Sequence, residues 1–189
     1  LPTDIRLCLT RFPDENDRMQ KKRRKLRLPD FDYRQPGSYF VTICTHDRQC
    51  VLGDVVGEQM CLSSSGEIIR TLWQSLPERH EGVSLDEFVV MPNHLHAIVE
   101  LAESDASLPL IVGAFKSVST KAVNAANATP GSRLWQRSFH EHVIRDETAR
   151  GRIREYIQNN PQKWHIDREN PVNWGTTPSA GGAEPRPYK

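Results

Sequence analysis

No apolar run in this chain approaches the roughly 18 residues that a membrane-spanning helix needs, so no span is expected. The first residues hold no short apolar core of the kind a secretory leader carries, and export is not expected either. Cysteine is sparse. Cys8, Cys44, Cys50 and Cys61 show neither metal-finger nor redox spacing, which reads as a reducing, intracellular setting. Cys44 falls in an apolar strand pattern, where a free thiol packs as a small hydrophobe. Net charge is nearly absent, +1 at pH 7, so charge summed over the chain names no partner. Apolar residues are few as well, at 37%, with a mean hydropathy of −0.60, and the two ends account for much of that shortage. No internal repeat is found. The 189 residues suffice for one domain with a real core but not comfortably for two.

Charge is present, but unevenly placed. From Arg18 to Arg27 the chain reads RMQKKRRKLR, with seven cations and no acid. Such a run is either a solvated tail or an arm that meets nucleic acid, and charge alone leaves both readings open. Residues 1–17 show no clear period and stay unassigned. The basic arm covers 18–30, the folded domain 31–174, and the Gly/Pro/Ala-rich stretch 175–189 is expected to be disordered.

Within the domain, SYFVTICTH (38–46) is β-branched and aromatic and reads as a strand. CVLGDVVGEQMCLS reads as a hairpin turning near Gly57. In SSSGEIIRTLWQSLPERH, the residues Ile68, Ile69, Leu72, Trp73 and Leu76 share one helical face behind a serine cap near Ser64. VSLDEFVVM and HLHAIVEL read as two strands parted by Pro92-Asn93. A helix is expected from Leu108, with Lys116 and Lys121 on its polar side, ended by TPGS. LWQRSFHEHVIR (134–145) reads as a strand, and DETARGRIREYIQNN as a helix with acids at its N-terminus, stopped by Pro161. Strand pairs interrupted by helices predict an α+β fold of ferredoxin-like plan, an antiparallel sheet with helices packed on one face.

The segment FVVMPNHLHAIVEL (88–101) places two imidazoles in an apolar strand. Side chains on a strand alternate, so His94 and His96 share a face while Leu95, Ala97 and Val99 point into the core. Two imidazoles on one face can converge on one ion, and neutral imidazole is the commonest metal-binding side chain. His140 and His142 have the same spacing, either as a rival site or lining the same cleft. The first pair lies in the more apolar strand, where an unpaired imidazole costs more to bury. A third ligand would complete a catalytic site, and nitrogen-plus-oxygen ligation admits Mn²⁺, Zn²⁺ or Mg²⁺.

In GRIREYIQNNPQKW, Tyr156 and Asn160 are spaced to share a helical face, and Ile153 and Ile157 can pack that helix on the sheet. A phenol of pKa about 10 is a weak nucleophile at neutral pH. Beside a metal that polarises a phosphodiester it becomes an attacking group. The Asn160 amide oxygen is a candidate third ligand. The residue before a proline is biased away from helical angles, which works against Asn160 keeping that face. Taken singly, Tyr156 also reads as a half-buried helix tyrosine, and Asn159-Asn160 as a plain helix end.

Four stretches together resemble one family: RLPDFDYRQPGSYFVTICT, DEFVVMPNHLHAIVEL, LWQRSFHEHVIRDE and IREYIQNNPQKW, within residues 23–174. The histidine–hydrophobic–histidine signature, followed at this distance by Y-I-x-x-N-P, is similar to that of the HUH single-strand DNA transposases and nucleases. The closest resemblance is to REP-associated tyrosine transposases. The resemblance implies that His94 and His96 hold a divalent ion, Mg²⁺ or Mn²⁺, that Asn160 is the polar ligand, and that Tyr156 is the nucleophile. It implies nicking and rejoining of single-stranded hairpin DNA at REP-like palindromes, through a 5′-phosphotyrosine and a free 3′-OH. An RRM-like antiparallel sheet, a tyrosine helix packed beside it, a bacterial cytoplasmic setting near the nucleoid, and a monomer or homodimer follow as expectations. The cations Lys21, Lys22, Arg23, Arg24, Lys25, Arg27, Lys116, Lys121, Arg133 and Arg137 then read as phosphate contacts, and Trp135 and Trp164 as candidates for stacking on unpaired bases. Residues 1–17 and the tail after Trp174 fall outside the resemblance, and it assigns His140 no role.

Three other readings compete. A hairpin-binding module without turnover would be expected to have lost site residues, yet all four are present. A zinc hydrolase on either histidine pair lacks an obvious carboxylate base near the first pair and leaves Tyr156 unexplained. An RNA-binding module of RRM type would carry aromatics where these histidines stand.

Overall fold

A computed structural model describes residues 32–103 and 106–174. The basic arm with Lys21, Lys22, Arg23, Arg24, Lys25 and Arg27, the segment 1–17 and the tail 175–189 lie outside the described residues. The elements run β1 (Gly37–Cys44), β2 (Gly53–Val56), β3 (Gln59–Leu62), α1 (Ser64–Gln74), α2 (Leu76–Arg79), β4 (Val83–Met91), β5 (His94–Leu101), α3 (Leu108–Ala126), β6 (His140–Ile144) and α4 (Glu147–Asn159). Four strands form one antiparallel sheet in the order β4-β5-β1-β6, while β2 and β3 form a separate hairpin. Without that hairpin, the order of strands and helices is the split β-α-β plan expected from the sequence.

Local chemistry sets most boundaries. Gly57 and Glu58 both adopt left-handed angles (φ +55° and +65°), the pairing that a tight two-residue hairpin turn requires. Ser63, one residue before the expected cap, accepts a hydrogen bond from the Gly66 amide and opens α1. Asp146 does the same for α4 through the Ala149 amide.

The pleat sorts the side chains into two layers. Val41, Ile43, Leu95, Ala97 and Val99 meet Ile69, Trp73, Ile111 and Phe115 of α1 and α3 in the main core. Phe40, Ile98 and Ile144 point the other way and meet Ile153 and Ile157 of α4. The α+β class and antiparallel sheet are as expected, but packing of all the helices on one face is not. Helices α1 and α3 take one face, and α4 covers the other, the one that carries the histidines. Its apolar stripe is narrow, so it adds only a small second core.

The stretch 134–145 also departs from expectation. Only His140–Ile144 pairs as a strand. Trp135 makes an isolated bridge to Thr45, and its buried indole donates to Ser119 Oγ at 2.9 Å. The Lys116 ammonium donates to the carbonyls of Gln136 (2.6 Å) and Arg137 (3.0 Å), drawing this stretch towards α3 and away from the sheet edge.

The small core under α4 makes a prediction. Ile157→Ala should cost about 2–5 kcal/mol, and hydrogen exchange should show the loss first in α4, with α1 and α3 still protected. Uniform loss of protection across the domain would contradict a separate second layer.

Candidate functional site

Strand β5 is central, flanked by β4 and β1, and helices pack on both faces of the sheet, so its residues are enclosed. His94 is fully buried and His96 nearly so, their ring centroids 4.4 Å apart. The register puts Thr42 opposite His96 and Cys44 opposite His94. Each ring is held by its Nδ1. That of His94 lies 2.9 Å from Asn93 Oδ1, and that of His96 lies 2.9 Å from Thr42 Oγ1. The Phe40 ring stacks on His96 at 5.3 Å.

Helix α4 brings up the other half. Arg150 bonds Glu100 and Ser38, Arg154 bonds Asp86, and Gln158 donates to Glu87, so polar contacts flank the Ile153–Ile157 stripe. The Tyr156 hydroxyl thereby comes 3.4 Å from His96 Nε2. Asn160 keeps helical angles (φ −60°, ψ −41°) despite the following proline, so it stays on the Tyr156 side of the helix and is buried. The expected bias away from helical angles does not prevail here. Continued turn bonding from Lys163 to the carbonyls of Asn159 and Asn160 holds the chain in place beyond α4.

Two lone-pair atoms define the chemistry. His94 Nε2 and Asn160 Oδ1 are both buried and make no hydrogen bond among the described residues. Burial holds the His94 imidazole neutral by pushing its pKa from 6.5 down to about 3, and the nearby Arg48 guanidinium pushes the same way. The Asn160 carboxamide opposes them, because it would accept a proton carried on the ring. A neutral ring with its proton on Nδ1 has none to offer Asn160, so two acceptors are left facing one space. A cation satisfies both, and His96 Nε2 lies beside them. The residues present therefore fit a small divalent ion with two imidazole nitrogens and an amide oxygen as donors.

Among the described residues, no three His, Cys, Asp or Glu side chains come together as a ligand set around either histidine pair. The register places His140 opposite Thr42 and His142 opposite Phe40, so both lie on the face of His94 and His96, with β1 between. They line the same side of the sheet. Of the described cations, Lys121, Arg133 and Arg137 are exposed along a groove between α3 and residues 131–137, with Asn124 and Gln136 beside them. Lys116 lines it too, half-buried and engaged with the two carbonyls already named. Trp135 is core and is not available for stacking, whereas Trp164 is half-buried with its ring 6.0 Å from His94.

Sequence reasoning missed Asn93, Thr42, Arg48 and Glu169. Asn93 had a signal, because it precedes His94 directly. Arg48 and Glu169 form a half-buried ion pair behind His94 that no local pattern announces.

The chain belongs to the family described as IS200-like transposases, which matches residues 37–160, from the start of β1 to Asn160. All four site residues fall inside that span. An uncharacterised protein of Haemophilus influenzae is 37% identical over 165 residues, covering 77% of this chain and 92% of its own length. A putative REP-associated tyrosine transposase of the same organism is 26% identical over 141 residues, covering 70% and 74%. A REP-associated tyrosine transposase solved with a REP hairpin shares the fold, with a TM-score of 0.57, 22% identity, and coverage of 72% of this chain and 73% of that one. No helix among the described residues is long and apolar enough to cross a membrane.

The neutral His94 makes stability depend on pH. Between about 6.5 and 3 the unfolded chain binds a proton at this residue that the folded chain does not, so stability falls as pH falls through that window. His142, lowered by burial and Arg145, acts in the same direction. Urea midpoints at pH 7 and pH 5 should therefore drop further in the wild type than in His94→Gln. Equal drops would show that His94 is not buried as a neutral ring.

Proposed function

We propose that this protein nicks and rejoins single-stranded DNA at REP-like hairpins, with Tyr156 as nucleophile. The observation that carries the reading is the meeting of the Tyr156 hydroxyl with His96 Nε2, beside two buried acceptors, His94 Nε2 and Asn160 Oδ1, that lack any donor. His94, His96 and Asn160 would hold Mg²⁺ or Mn²⁺, which when bound polarises the scissile phosphodiester as a Lewis acid.

The chain's own residues do the rest. α4 presents the Tyr156 oxygen to the phosphorus, the phenol gives up its proton, and a Tyr–O–P bond forms. The P–O3′ bond breaks and the departing oxygen takes a proton, leaving a 3′-OH on one fragment and a 5′-phosphotyrosine on the other. Attack by a 3′-OH on that ester reverses the step and rejoins strands without an external energy source. Tyr156 meets His96 of its own chain, which supports a site complete in one copy and hence action as a monomer.

Lys121, Arg133 and Arg137 would contact phosphates along the α3 groove, with Lys116 holding the backbone of Gln136 and Arg137 in place. The arm cations Lys21, Lys22, Arg23, Arg24, Lys25 and Arg27 would add a second set. The stretch that walls this groove also reaches the end of β1, where the amide of Gln136 bonds the carbonyl of Cys44, the register partner of His94.

The test is a denaturing gel of protein, labelled hairpin DNA and Mn²⁺. Wild type should give a protein–DNA adduct that EDTA abolishes. Tyr156→Phe should lose the adduct and keep hairpin affinity within about twofold, since only the attacking oxygen goes. Cleavage by Tyr156→Phe would make water the nucleophile and end this reading. Binding by the wild type with no adduct would leave a hairpin-binding module.

For the groove, Arg133→Ala with Arg137→Ala should lower the slope of log affinity against log salt by about 1–2. An unchanged slope would place the phosphates elsewhere.

A further inference from the structure

The bonds made by Asn93 decide more than the placing of a ring. Its side chain is fully buried. Nδ2 donates to the Glu169 carbonyl at 2.7 Å and to the Arg48 carbonyl at 3.1 Å. A carbonyl oxygen only accepts, so these two bonds fix which end of the carboxamide is nitrogen. The other end, Oδ1, is therefore an acceptor, and it lies 2.9 Å from His94 Nδ1. An acceptor at that distance calls for the proton on Nδ1, and in a neutral ring Nε2 is then a bare lone pair. Thr42 sets no such condition on His96, because a hydroxyl can donate or accept.

The supports of Asn93 are themselves constrained. Asp47 and Arg48 both adopt left-handed angles (φ +49° and +54°), which Asp tolerates but Arg seldom adopts. That turn aims the Arg48 carbonyl at Asn93, while the Arg48 guanidinium pairs with Glu169. The Glu169 amide in turn donates to Asp167 Oδ1 at 2.6 Å. Two segments remote in sequence thus converge on one carboxamide.

We propose that Asn93 is a positioning residue that locks His94 in its Nδ1–H tautomer, keeps the Nε2 lone pair turned to the ion site, and ties that setting to residues 167–170. The inference rests on the ion-site reading above. Without the lock, His94 has a competing choice: a proton on Nε2 would donate to Asn160 Oδ1 and satisfy both buried acceptors internally. That arrangement would remove two of the three proposed ligand atoms at once.

The test is made on the full chain, metal-free, with ¹⁵N-labelled histidine. Long-range ¹H–¹⁵N correlation reads which ring nitrogen carries the proton, and His94→Gln assigns the signals. Wild type should show His94 protonated on Nδ1. Asn93→Leu should shift the proton to Nε2. Mn²⁺ affinity, read by electron paramagnetic resonance, should fall about 10–100-fold in Asn93→Leu. A wild-type His94 protonated on Nε2 overturns the proposal even if the leucine variant fails to fold. So does a folded Asn93→Leu with unchanged tautomer and affinity. Wild type that binds no Mn²⁺ overturns the ion-site reading, and with it the purpose given to the lock.

Discussion

Burying two imidazoles in a central strand imposes a condition that the surrounding chain has to meet. A surface strand could leave its ring nitrogens to water. Strand β5 has sheet on both sides and helices on both faces, so every ring nitrogen needs a partner inside the protein. Asn93 and Thr42 supply partners for the two Nδ1 atoms. His94 Nε2 is left to the space in front of it, His96 Nε2 meets the Tyr156 hydroxyl, and α4 determines what stands there.

Helix α4 is mostly polar, and its hold on the sheet is correspondingly composite. Two isoleucines supply the apolar contact, and Arg150, Arg154 and Gln158 reach acids and a serine on β1, β4 and β5. Partly exposed pairs of this kind are individually weak, because solvent screens them. Their use here is alignment: three arms on one helix fix its rotation as well as its position. Rotation is what matters, because Tyr156 and Asn160 face the histidines only in one orientation of the helix.

The legible part of this protein was the part written in periods. Alternation in β5 placed His94 and His96 on one face, and the four-residue spacing put Tyr156 and Asn160 together on another element. The unread parts were those decided by competition between distant groups. The stretch 134–139 has a strand pattern, yet the indole of Trp135 and the ammonium of Lys116 draw it to α3. The α4 stripe by itself fits either side of the sheet, and only the resemblance, which sets Tyr156 beside the histidines, pointed to the histidine face. Asn160 kept helical angles against a local bias, since the turn after α4 holds the chain there. Arg48 and Glu169 carried no signal at all, because a pair separated so far in sequence exists only once the chain has folded.

The family match ends at Asn160, and that boundary divides the site in a physically meaningful way. The proposed ligand atoms and the proposed nucleophile all lie within it, Asn160 as its last residue. The Glu169 carbonyl that holds Asn93, and the Trp164 ring beside His94, come after it. The proposed reacting groups thus lie within the matched span, whereas part of the setting of His94 comes from residues past its end. Changes in that segment can alter how the imidazole is presented without changing any proposed ligand or the proposed nucleophile. A site built this way keeps its proposed ligands and nucleophile fixed while leaving their tuning to the chain that follows α4.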